Sequence, residues 1–243
     1  MNADRFVFFQ TSVLILYFVI ATVIKNPKPK LETRARLIEA TARLFSLHGY
    51  NGLTLRSVAK EAKANLAAAN YHFGSKDALV LEMLRERIQP INQRRLELLE
   101  EEKNNNSNLP LGVFQIFRTL IHPIGEEISK SANSRCSLAQ LVARTFTEPT
   151  EFIERMHHRF FSQIAEIYHR ELSLTFPNQP AKEIYWHLHL AVASMLGALA
   201  QHRRLEDFTK GMCNENQVDE MINRLTKFVS HGFTHGLRNS SPS

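Results

Sequence analysis

The sequence predicts an all-α protein, in which three short helices and one long one lead into a larger helical part. Three observations carry this. Apolar residues recur at helical spacing along most of the chain, polar cap residues stand just ahead of those stripes, and no stretch alternates apolar with polar residues as a half-buried strand does.

Leu37, Ala40, Leu44 and Leu47, with Ile38 and Phe45 beside them, form one stripe and predict a first helix over 31–48 that Gly49 is placed to end. Thr54 is positioned to cap a second helix, 55–62, with Leu55, Val58, Ala59 and Ala62 turned inward. Asn65 caps a third, 66–72, and Ser75 a fourth that starts at Lys76 and heads for Lys103. Pro90 lies inside this fourth helix; because it has no N–H to donate, it predicts a kink or a split there. KNNNSN (103–108) is the first clear loop. Beyond it the pattern predicts helices over 110–122, 124–131, 137–146, 150–174, 181–204 and 216–230. The breaks fall at NSRC, EP, FPNQP and KGMCN, and a frayed tail covers 237–243. Two domains are expected, 31–87 and 88–236, after an N-terminal segment and linker over 1–30.

That N-terminal segment is unusual. Phe6 to Ile24 is 19 residues without a charge. At about 1.5 Å per residue it reaches roughly 28 Å, close to the hydrocarbon thickness of a bilayer. Lys25, Lys28, Lys30 and Arg34 follow it, which by the positive-inside tendency leaves the remainder in the cytoplasm. Two readings stay open: an inner-membrane anchor, or a true translation start near 19–24 with the peptide never made. A cleaved secretory signal is disfavoured, since no small-x-small site follows. PKPK (27–30) is a stiff linker.

With 44% apolar residues the 243-residue chain has ample material for packed cores. Cys136 and Cys213 stand far apart without CxxC spacing, so a disulfide framework and a zinc ribbon are both unsupported, and a reducing cytoplasm fits. The formal net charge is +6, and its location matters more than its size. Between Lys25 and Arg87 stand twelve Lys/Arg against six Asp/Glu, while 1–24 and 88–243 are each balanced. A merely solvated surface would spread the surplus; a segregated basic module points to nucleic acid. An enzyme is not expected, because no Gly-rich phosphate loop, GxSxG elbow or carboxylate cluster with a partner base is present. No cofactor is implied. His157/His158, His187/His189 and His231/His235 invite a metal reading, but Gly232 and Gly236 weaken any helix at the last pair, no carboxylate or Cys joins that pair, and no metal is expected.

The stretch NLAAANYHFGSKDAL (65–79) gives the basic module its shape. Two short helices joined by KAN have the dimensions of a helix-turn-helix, whose second helix enters the major groove. Small side chains at Ala67, Ala68 and Ala69 allow close approach. Tyr71 and His72 offer hydrogen bonds to phosphates or bases, and Asn70 has the amide geometry that reads adenine. Lys76, next to free backbone donors at a helix start, suits a phosphate, whereas Phe73 is expected in the core.

LIEATARLFSLHGYNGLTLRSVAKEAKANLAAANYHFGSKDALV (37–80) resembles the N-terminal module of the TetR/AcrR family of bacterial one-component transcriptional regulators. The likeness covers about 31–85 and rests on the first-helix pattern, GYNGLTLRSVA, the NYHF cluster and the SKDAL helix start; further on, only length and helical character match. It implies a homeodomain-like helix-turn-helix module followed by an α-helical ligand-binding and dimerisation domain. Position by position, it implies a phosphate contact for Thr54 and a base contact for Arg56. Ala67, Ala68 and Asn70 would face bases, while Tyr71, His72 and Lys76 would grip the backbone. Lys63 departs from the family, standing where glycine is usual. A left-handed backbone there costs about 1 kcal/mol, and the lysine adds charge near DNA.

The resemblance further implies a ligand-responsive dimeric repressor that binds an inverted-repeat operator in double-stranded DNA at the nucleoid, tethered to the membrane if 6–24 is translated. Its effector is a small molecule whose binding favours a dimer with differently spaced recognition helices. YWHLHLAVASMLGALA (185–200), small and apolar, is the natural start of a homodimer face through the last two helices. Candidate walls of the ligand pocket are Phe114, Phe117, Leu141, Phe146 and Tyr168.

Overall fold

The computed structural model describes residues 29–130, 141, 150–213 and 218–239. The apolar stretch 6–24, Phe146 and the predicted helix over 137–146, apart from Leu141, lie outside the described residues. The described helices are α1 (Pro29–His48), α2 (Leu55–Glu61), α3 (Leu66–Phe73), α4 (Lys76–Asn105), α5 (Val113–Lys130), α6 (Thr150–Thr175), α7 (Ala181–Phe208) and α8 (Val218–Asn239). Among the described residues there is no strand, and no helix is long and apolar enough to cross a membrane.

The short helices begin where local chemistry starts them. Thr54 and Ser57 form a reciprocal capping box, each side chain accepting from the other's backbone N–H at 3.0 Å. Asn65 Oδ1 accepts from the Ala68 N–H at 2.6 Å, and Ser75 Oγ from that of Ala78 at 3.1 Å. Gly74, at φ 72, ends α3 in a conformation that a side chain would resist, and so turns the chain into α4.

Two apolar cores result. The first is built from α1 to α3 and the start of α4, with Leu37, Phe45, Leu53, Val58, Leu79 and Met83 fully buried. The second gathers the rest of α4 with α5, the later part of α6, α7 and α8. Sequence periodicity does not reveal the contribution of α6 to the first core. Phe152 and Met156, from the start of α6, are buried there together with Leu141. The Phe152 ring stacks on Tyr50 with centroids 4.5 Å apart and tilts against Phe45 at 6.3 Å. Two polar ties accompany it: Arg155 donates to Asp77 at 3.0 Å, and Asn92 Nδ2 donates to the Phe160 carbonyl at 2.8 Å.

Several expectations are corrected. Helix α4 runs unbroken through Pro90, which lies on its exposed face, where water can satisfy the carbonyl the proline leaves without a partner. The separate helices 110–122 and 124–131 are one, α5, which starts at Val113 and buries Pro123 within it. Helix α7 extends to Phe208, and α8 continues past Ser230 through two glycines to Asn239. Gly236 is there for proximity: a Cβ would sit 2.3 Å from His187 Nε2 of α7. Leu237 is therefore core, not tail.

Truncating the α6 tip tests this packing. Phe152→Ala should lower the urea-unfolding free energy by about 3 to 5 kcal/mol. Leu174→Ala, on the outer face of the same helix, should stay within about 0.5 kcal/mol of the parent.

Candidate functional site

Helices α2 and α3 present a common outer surface. Their inner faces carry Val58, Ala59, Ala62 and Ala69, all buried, which leaves Thr54, Arg56, Lys60, Lys63, Ala67, Asn70 and Tyr71 exposed. Tyr71 is 70% exposed and meets His72 edge-on at 5.4 Å. Ala68, His72 and Phe73 are half-buried, Phe73 against the first core. Ala69 points inward and cannot help the helix approach a groove.

Charge on this module is sorted by pairing. Each of its six acids is engaged: Glu32 with Arg36, Glu39 with Arg87, Glu61 with Arg43, Asp77 with Arg155, Glu82 with Arg34 and Arg85, and Glu86 with Arg34. These pairs neutralise the flank formed by α1 and α4. Arg56, Lys60 and Lys63 take no part in any ion pair among the described residues. Arg56 and Lys60 are four residues apart, hence on one face of α2, and Lys63 follows in the turn toward α3. The surplus positive charge is thus concentrated on the outer face of α2 and in the turn toward α3. Lys60 is missing from the residues singled out in the sequence; its spacing from Arg56, opposite the apolar side of α2, is the signal for it.

Lys76 packs on Tyr50. Its ammonium lies 3.8 Å from the centre of the Tyr50 ring and donates to the Tyr50 carbonyl at 3.3 Å. Tyr50 also donates its hydroxyl to Asp77. Burial and that carboxylate push the phenol up to about 12. Lys63 takes φ 50, so the left-handed turn is present and the lysine bears its strain.

A cavity of about 320 Å³ opens between α4, α6 and α7, with Leu120 and Ile124 of α5 at one wall. Ile88, Ile91, Ile164, Leu188, Val192 and Met195 make it mostly apolar. Leu141 and Tyr168 line it. Phe114 and Phe117 do not: Phe117 is buried in the second core against Phe233, 5.3 Å away, and Phe114 is 42% exposed. An amphipathic pattern tells which side of a helix is buried and not which neighbour it meets.

The polar side chains that line the cavity are those of Arg87, Arg95, Tyr168, Tyr185 and His189. Arg95 is 4% exposed; Nε donates to the Leu120 carbonyl and Nη1 to Asn92 Oδ1, both at 2.8 Å. Burial lowers its pKa to about 10, which leaves it a cation at neutral pH. Thr119 Oγ1 lies 2.8 Å from the Ile116 carbonyl, to which it donates, and 3.0 Å from the Tyr168 hydroxyl. Burial raises Tyr168 to about 12. Arg87 is held by Glu39 of α1. Among the described residues, no three His, Cys, Asp or Glu gather as metal ligands.

Residues 37–83 match the family described as "Bacterial regulatory proteins, tetR family", and residues 118–232 match "Tetracyclin repressor-like, C-terminal domain". The HTH-type transcriptional regulator LmrA of Bacillus subtilis is 34% identical over 70 residues, 28% of this chain and 37% of that protein. The HTH-type transcriptional regulator HbdR of Aromatoleum is 34% identical over 61 residues, 25% of this chain and 27% of that one. The chain thus spans only about a quarter to a little over a third of the length of these curated relatives. Among solved structures, a transcriptional regulator from Rhodococcus superposes with a TM-score of 0.56 at 16% identity, covering 82% of this chain and 96% of that one. A TetR-like regulator from the same genus gives 0.54 at 13%, covering 86% and 99%. At such identities the likeness speaks for the fold.

The strained turn yields a test. Lys63→Gly should raise unfolding stability by about 0.5 to 1 kcal/mol in urea. If the lysine reaches a phosphate, the same variant should shallow the salt dependence of DNA binding by about one ion.

Proposed function

Because the chain belongs to the tetR family of bacterial regulatory proteins, we propose that it is a DNA-binding transcriptional repressor whose operator affinity is set by a small molecule in the cavity. The observation that carries this is the sorting of charge: every acid of the basic module is paired, and the cations left over flank the recognition helix. In this reading, residues 31–87 form the DNA-binding unit and 88–236 the effector-binding and dimerising unit. Arg56 and Asn70 read base edges; Thr54, Lys60, Lys63, Tyr71 and His72 hold phosphates. Lys76 positions Tyr50 in the free protein and reaches a phosphate only by giving up that contact.

A homodimer forms through α7 and α8. Trp186, Leu190 and Phe228 are large apolar side chains left exposed on these helices, and a twofold mate would cover them. The two recognition helices then lie about one or more DNA turns apart, roughly 34 to 36 Å for a single turn, and the operator is an inverted repeat. The protein acts in the cytoplasm at the nucleoid.

Two helices link cavity to DNA. Helix α4 lines the cavity with Leu84, Ile88 and Ile91 and abuts α3 at its start. Helix α6 lines it with Met156, Ile164 and Tyr168, and its tip is the Phe152 plug beneath Tyr50. An occupant that moves α6 outward against α4 tilts the first core and changes the spacing of the recognition helices. Linkage requires only that the occupant prefer one spacing over the other.

Two experiments bear on this. Genomic fragments recovered on the purified protein at physiological salt should share an inverted repeat, and a cell metabolite extract should reduce their recovery. Recovery no better than that of scrambled DNA would overturn the reading. Tyr71→Ala should weaken operator binding about tenfold in a gel-shift titration, with the unfolding midpoint unchanged because the side chain is exposed.

A further inference from the structure

We infer that the cavity takes an apolar monocarboxylic acid, its hydrocarbon body among Ile88, Ile91, Ile164 and Leu188 and its carboxylate on the Arg95 guanidinium. The inference rests on the reading of the cavity as the effector site and names the chemical class of the effector.

Arg95 is the reason. A buried arginine is ordinarily paired with an acid, because an isolated cation in an apolar interior costs several kcal/mol. Among the described residues Arg95 has no carboxylate partner; its described bonds go to a carbonyl and an amide oxygen, both neutral. The buried acid of this region, Glu171, pairs with Lys103 at 3.4 Å. The other arginine at the cavity, Arg87, is taken by Glu39. A guanidinium carries five N–H donors in a planar fork, and the two described bonds leave donors over for a bidentate carboxylate.

The remaining walls exclude the alternatives. A cationic ligand would face a buried cation. A neutral ligand would leave that cation without an acid partner among the described residues and gain only from apolar contact. A multiply charged ligand would bring more negative charge than the Arg95 guanidinium answers, into walls that are otherwise mostly apolar. A single carboxylate on a hydrocarbon body satisfies both features at once.

The test is a calorimetric titration of the full-length protein with octanoate, dodecanoate and hexadecanoate, and in matched runs with the alcohols of equal chain length. Operator binding is measured in parallel with each. For at least one chain length the acid should bind roughly tenfold to a hundredfold more tightly than its alcohol, the range a hydrogen-bonded charge supplies. Arg95→Met should remove that preference while binding the alcohol as well as the parent does, and Arg95→Lys should restore part of it. A merely structural arginine would leave acid and alcohol equal in the parent, a comparison that needs no variant to fold. Equal binding of acid and alcohol, no binding of either, or an acid preference that survives Arg95→Met would overturn the inference. If alcohols and acids loosen the operator complex alike, the effector site stands and the acid class falls. Selective acid binding that leaves operator affinity unchanged upholds the ligand class and removes the effector role instead.

Discussion

The seating of Phe152 against Tyr50 and Phe45 is the contact on which the rest of the structure depends. Helices α2 and α3 are seven and eight residues long, too short to be stable without tertiary packing. A module of this size buries little surface, and here it borrows the start of α4 and the tip of α6 to close its core. The consequence is mechanical. The helix that completes the DNA-facing module is also a wall of the cavity, so the two cannot rearrange independently. Lys76 sits on the other face of this contact, over the Tyr50 ring, and Arg155 clamps the α6 tip to Asp77.

Charge follows the same economy of placement. The acids of the basic module pair across its folded flank, as Arg34 does with Glu86 and Arg87 with Glu39, between residues far apart in sequence. Such pairs are individually weak at an exposed surface. Their larger effect is on the field: they cancel positive charge elsewhere on the module and leave it on the outer face of α2 and in the turn toward α3.

How much of this is legible in the sequence depends on how local the cause is. The helix starts at Thr54, Asn65 and Ser75 are legible because a cap acts within three residues. The left-handed turn at Lys63 is legible only through the family resemblance, since lysine carries no such signal. Breaks assigned at Pro123 and past Ser230 fail because packing outweighs local preference: α5 buries its proline, and Gly236 makes room for His187. Two pocket walls are assigned to the wrong place because Phe117 belongs to the contact with α8. Arg95 is the clearest case of what is hidden. In QRRLELLEE it looks like one more solvated charge, and its neighbour Arg94 is one, paired with Glu97 and Glu101. A single step along the helix separates the exposed arginine from the buried one, and only the packed structure tells them apart.

The unity of cavity and DNA-facing module is tested most directly by native-state hydrogen exchange across a series of low urea concentrations. The account predicts that the core amides of α2 and α3 open together with those of α6 around Met156 and Ile164, in one cooperative unit with a common free energy and urea slope. Opening of α2 and α3 at a distinctly lower free energy, with α6 still protected along its whole length, would contradict it.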